Sequence, residues 1–185
     1  MHTFTNQVAT DGILSETDTN SIITEISSKD PLLKEISFKR FEGINREGWY
    51  HDDGQYGFSF NVSKSVMLTG IGLYLPLTET DKLSGLVEIY DESHLAHKQD
   101  VQLEHDLFKT NINIPLWKKI SVKPKRTYSV RQRLKQGQSY NGINVLQTQC
   151  IDGVAIEFMR LQHGYTYCDS LDKGLIHSLT FEVGM

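Results

Sequence analysis

Residues 57–74, GFSFNVSKSVMLTGIGLY, decide how the whole chain is read. Phe58, Phe60 and Val62 alternate with Gly57, Ser59 and Asn61, the period of two that a strand buried on one face requires. Ser63, Lys64 and Ser65 form a polar break, and residues 66–74 run apolar again with Gly70 and Gly72 inside. Glycines within a strand mark a bulge or a close approach of another backbone, and together with the β-branched residues they disfavour a helix. The stretch reads as a hairpin at the heart of a β-sheet protein.

Working outward, the 185 residues suffice for one domain with a substantial core and are too short for two comfortable ones. The net charge is −4. No run of apolar residues is long enough to span a bilayer, and the basic-then-apolar order of a signal peptide is missing, so a cytoplasmic protein with no membrane partner is expected. Two cysteines, Cys150 and Cys168, are too few for a disulfide framework, and reduced thiols are the simpler assumption.

Residues 1–34 are rich in Thr, Ser, Asn and Asp, and they read as a leader or linker with at most a short helical turn. Residues 35–185 read as the domain. Alternation recurs at residues 35–41, 83–90, 108–114 (where it stops at Pro115), 126–134, 154–161 and 175–183, residues 117–122 read as a further strand, and residues 94–105 as a weaker, edge-like one. Three stretches, residues 42–56, 137–144 and 163–174, read as long loops. About ten short strands with turn signals at regular spacing and no long helix make an all-β protein, a single antiparallel β-sandwich.

Catalytic constellations are poor. His94, His97 and His105 have no cysteine or carboxylate at a closing spacing, so no metal site is expected. His51 beside Asp52 and Asp53 is an ordinary turn composition before it is an acid–base pair. No phosphate loop or nucleophile elbow occurs, and no cofactor is expected. Charge says more, because residues 107–151 contain no acid at all. Lys123, Lys125, Arg131 and Arg133 in that window suggest a basic face that steers an acidic partner, or simply the solvated side of a strand; sparse aromatics make nucleic acid the lesser reading. The loops are rich in aromatic residues, and loops on a rigid scaffold carry function. The candidate partner-contacting residues are therefore His51, Asp52, Tyr56, Tyr140, Asn141, Tyr165, Tyr167 and Asp169. Trp49 reads instead as a plug for one end of the core.

The same residues carry a family resemblance. Trp49, Phe60, Val62, Lys64, Gly70, Gly72, Leu73 and Tyr74 fall without a gap into the signature of the PHR domain, found in PAM/Highwire-type ubiquitin ligases and in certain BTB-domain proteins. Tyr140-Asn141-Gly142 resembles the family's Tyr-x-Gly loop, and Ile156-Glu157-Phe158 its Phe-x-Phe. Gly174-Leu175-Ile176-His177, followed by Phe181, resembles its closing motif. His51, Asp53, Tyr56, Leu75, Leu175 and His177 depart from the pattern, mostly at loop tips, so this is a divergent member. The resemblance implies a non-catalytic module that binds a protein partner through loops at one end of the sandwich, as an adaptor for a ubiquitin-ligase assembly in the ubiquitination pathway. A sandwich that binds a small ligand or carbohydrate through the same loop end is the alternative.

Overall fold

The computed structural model describes residues 33–161 and 173–184. Among them there are eleven strands and no helix: β1 (Leu33–Lys39), β2 (Phe41–Val62), β3 (Val66–Tyr74), β4 (Lys82–Asp91), β5 (His94–Glu104), β6 (Asn111–Val122), β7 (Tyr128–Val145), β8 (Thr148–Ile151), β9 (Val154–Arg160), β10 (Lys173–Gly174) and β11 (Ile176–Gly184). A four-stranded sheet in the order β1-β11-β3-β6 packs on a seven-stranded one in the order β5-β4-β7-β2-β9-β8, with β10 attached to β7. Every pairing is antiparallel.

The alternation read from the sequence explains the core. Phe58, Phe60 and Val62 on β2, Val130 and Leu134 on β7, and Phe158 on β9 face Phe38, Leu68, Leu73 and Phe181 of the other sheet. Phe60 of the large sheet meets Phe181 of the small one at 6.1 Å, and Phe181 in turn meets Phe38 edge-to-face at 5.8 Å. Such offset ring pairs add stabilisation beyond the area they bury.

The central stretch needs a correction. β2 and β3 do not pair with each other, because β2 lies in the large sheet between β7 and β9 and β3 in the small one between β11 and β6. Ser63–Ser65 carries the chain across the sandwich instead of back along the same sheet. A polar break between two one-sided apolar runs fits either geometry, since both bury the same face.

Two of the expected loops are also strand. Residues 42–56 belong to the 22-residue β2, and residues 137–144 to the 18-residue β7, which run together as a long ribbon. Register shifts absorb the turn-forming residues as bulges: one falls between Asn45 and Trp49, and two more between His51 and Gln55. Gly48 and Asp53 have φ of 88° and 66° at these places, the left-handed region that glycine and aspartate tolerate. Pro115 likewise does not end its strand. It sits inside β6, on the edge of the small sheet, where a missing N–H costs no ladder bond.

The ribbon crosses one end of the sandwich and joins the sheets there. Pro76, just beyond β3, bridges to Ser139. Leu77 N donates to Gln138 O (3.0 Å), and Tyr140 N donates to Leu75 O (3.1 Å). We call this the loop end. The opposite, turn end carries the tight β2–β3, β4–β5 and β8–β9 connections.

Candidate functional site at the loop end

Segment 75–77 is the hub of the loop end. Besides its bonds to β7, Leu75 N donates to Thr110 O (2.9 Å), and His105 Nδ1 donates to Pro76 O (2.9 Å). Gly48 fits against Leu77, whose Cδ1 would stand 2.2 Å from any added Cβ. The β2–β7 ribbon and the β5–β6 connection are thus pinned to one short, buried stretch.

His51, Tyr56 and Asn141, expected to contact a partner, are closed off. His51 is 1% exposed and Asn141 0%. Ribbon residues alternate, so while Tyr50 projects outward at 62% exposure, His51 turns inward. The single hydroxyl proton of Ser139 goes to Tyr140 O (2.8 Å), so His51 Nε2 carries hydrogen and donates to Ser139 Oγ (2.8 Å). His51 Nδ1 is then the unprotonated nitrogen, buried and without a hydrogen-bond partner. Burial lowers the His51 pKa from 6.5 to about 4, against the opposing charge of Asp52. Tyr56 is buried, stacked edge-to-face against half-buried Trp49 at 5.7 Å. These side chains pack inside the ribbon rather than facing solvent.

Asp52 is exposed, its Oδ1 accepting from Gly54 N (3.1 Å) and Tyr56 OH (3.4 Å). Tyr140 is half-buried. Tyr165, Tyr167 and Asp169 lie outside the described residues, as does Cys168; Cys150 on β8 is an exposed free thiol.

The four basic residues do not share one face. Lys123 and Lys125 project from the β6–β7 connection at the turn end, whereas Arg131 and Arg133 lie along β7. Arg131 is nearly buried, with its guanidinium 4.2 Å over the ring of Tyr90, and only Arg133 of the two is freely exposed. A window empty of acids in sequence acquires them in space, because β4 lays Glu88 opposite Arg131.

A buried polar cluster went unforeseen. Arg40 occupies the corner between β1 and β2, 1% exposed, with its guanidinium 4.7 Å over Phe41 and 4.3 Å over Phe58. Burial raises the Tyr74 hydroxyl far above its ordinary range, with the Arg40 charge opposing. His177, edge-on to Tyr74 at 5.4 Å, has its pKa lowered to about 4 by burial and then by Lys39.

Leu107 and Phe108 were missed as candidates. They stand 74% and 93% exposed in the β5–β6 connection, where Asp106 Oδ1 accepts from Phe108 N (2.8 Å) and Lys109 N (3.1 Å). The signal was present, since Asp followed by two large apolar residues between strands is a capped turn that cannot bury them. Of the eight exposed large apolar residues among the described ones, five belong to the loop end: Ile44, Tyr50, Leu107, Phe108 and Ile112.

Among the described residues no group of histidine, cysteine and carboxylate side chains is arranged to hold a metal, and no helix is long and apolar enough to cross a membrane. No curated protein matches the chain. Residues 39–182 match the PHR domain, a span that takes in the end of β1, all of β2 to β10 and most of β11. The resemblance first carried by Trp49, Phe60 and Gly70-x-Gly72 thus holds over most of the chain, which belongs to the PHR domain family.

Proposed function

We propose that the chain is a non-catalytic protein-recognition module that selects a partner or substrate for a ubiquitin-ligase assembly in the cytoplasm, and that the loop end is its contact surface. The observation that carries this reading is the gathering of exposed apolar side chains, Tyr50 and Phe108 foremost, at the end where both sheets are pinned together. Aromatic residues held on a rigid support contribute large contact area at small entropic cost. Tyr140 and Asp52 add polar contacts on the same ribbon. Ligase chemistry would come from other domains or proteins.

The test is affinity capture from cell lysate with the whole chain as bait, compared with a Tyr50→Ala/Tyr140→Ala variant that melts at the same temperature. Capture of ubiquitin-ligase components or their substrates by the wild type, lost in the variant, supports the reading. Identical profiles from both baits would remove the loop end as the surface.

A further inference from the structure

β5 is one edge strand of the large sheet and β6 one edge strand of the small sheet, and they meet along one side of the sandwich. Midway along, one side chain clasps them. Gln99, buried on β5, donates its amide to Pro115 O (3.1 Å) and accepts from Trp117 N (3.2 Å). It thereby bonds β6 as the peptide group of a neighbouring strand would. Toward the loop end the two edges part, and the gap opens into a groove of about 400 Å³ lined by Leu75, Leu103, Glu104, Asp106, Ile112 and Ile114, with Gln102 and His105 completing it. Leu75, Leu103, Ile112 and Ile114 make up its apolar part. Its rim carries two carboxylates, and no lysine or arginine lines it. Lys82, opposite Glu104 in the β4–β5 ladder, forms no ion pair with it among the described residues. Leu107 and Phe108 stand exposed beside the groove.

We infer that this groove takes an extended peptide segment of a partner protein in which an apolar residue is flanked by lysine or arginine. Three features specify that occupant. The apolar part formed by Leu75, Leu103, Ile112 and Ile114 accepts an apolar side chain. Glu104 and Asp106 favour cations beside it and disfavour acids. The flanking strands each end a sheet, so their outward backbone groups suit a chain that runs extended alongside them. The charge is opposite to that expected from the basic window of the sequence. This inference rests on the recognition reading and adds the chemistry of the partner segment.

The experiment is selection of a fully randomised displayed peptide library on the intact chain, followed by titration of the enriched peptides by fluorescence anisotropy. Glu104→Lys and Phe108→Ala both alter exposed positions, and each variant is first shown to melt like the wild type. Enrichment of apolar peptides flanked by Lys or Arg, with affinity falling about tenfold or more in both variants, is the expected result. Enrichment of acidic or uncharged peptides, undiminished binding to Glu104→Lys, or no enrichment at all would overturn it. If the groove fails while Tyr50→Ala/Tyr140→Ala still abolishes lysate capture, recognition at the loop end stands and only the groove assignment falls. If lysate capture fails as well, both fall.

Discussion

His51 links the geometry of the loop end to a stability measurement. Its Nε2–H is committed to Ser139, and its Nδ1 is buried without an acceptor, so a second proton has nowhere favourable to go. The pKa falls from 6.5 to about 4 in the fold, whereas the unfolded chain keeps the ordinary value. The unfolded state therefore binds more protons between these limits, and stability rises with pH across them. The contribution is fully present above pH 6.5 and is lost as pH falls toward 4. A shift of this size corresponds to about 3 kcal/mol at ~1.4 kcal/mol per pH unit. The perturbation is His51→Gln, which retains a donor toward Ser139 but cannot titrate. Urea denaturation of both proteins at a series of pH values across that window, at fixed ionic strength, would show a shallower pH dependence in the variant. The dependence is not abolished, because His177 is lowered by burial in the same direction. An equal pH dependence in both proteins, or an NMR titration that places the folded His51 midpoint near 6.5, would refute the reasoning.

Gly142→Ala puts a methyl group 2.1 Å from the ring of Phe41 and 2.5 Å from the Tyr74 hydroxyl, both in buried side chains, and should cost roughly 1–3 kcal/mol by overpacking; thermal melting checks this, and an unchanged transition would show that the corner relaxes freely. Phe60→Ala removes the ring joining Phe181 and Tyr128 across the core, for an expected loss of about 3–5 kcal/mol in denaturant unfolding. Gln99→Leu leaves Pro115 O and Trp117 N without their partner. A loss of about 1–3 kcal/mol is expected. Amide hydrogen exchange should accelerate at Trp117, and unchanged exchange there would mean that the clasp does not hold β6.

Much of the fold is legible because one-sided strands announce themselves by a period of two. The alternation at residues 58–62 and 179–183 identified the sandwich core before any partner was known, and Trp49, Gly70 and Gly72 pointed to the family. The misreadings cluster where local chemistry is ambiguous. Gly48, Asp53 and Gly54 look like loop formers, and it took pairing with β7 to turn them into bulges of a continuous strand. A polar break such as Ser63–Ser65 does not say whether the next strand returns to its own sheet or crosses to the other. The site followed the same division. Aromatics on loops were visible, but which of them face solvent depends on ribbon register, and that register hid His51 and Asn141 while exposing Tyr50.

By itself, then, the sequence determined the all-β class and the apolar rows of the core, which rest on composition and spacing, and the family, which rests on the residues of its motifs, all of it local to one chain. Only the tertiary structure decided which strands became edges, that Arg131 lies on Tyr90 while Lys123 sits at the far end, and that Glu104, Asp106 and Ile112 share one groove. Those relations depend on contacts between residues far apart in the chain. Nothing in local propensity encodes them, and the balance of burial and hydrogen bonding across the whole sandwich sets them.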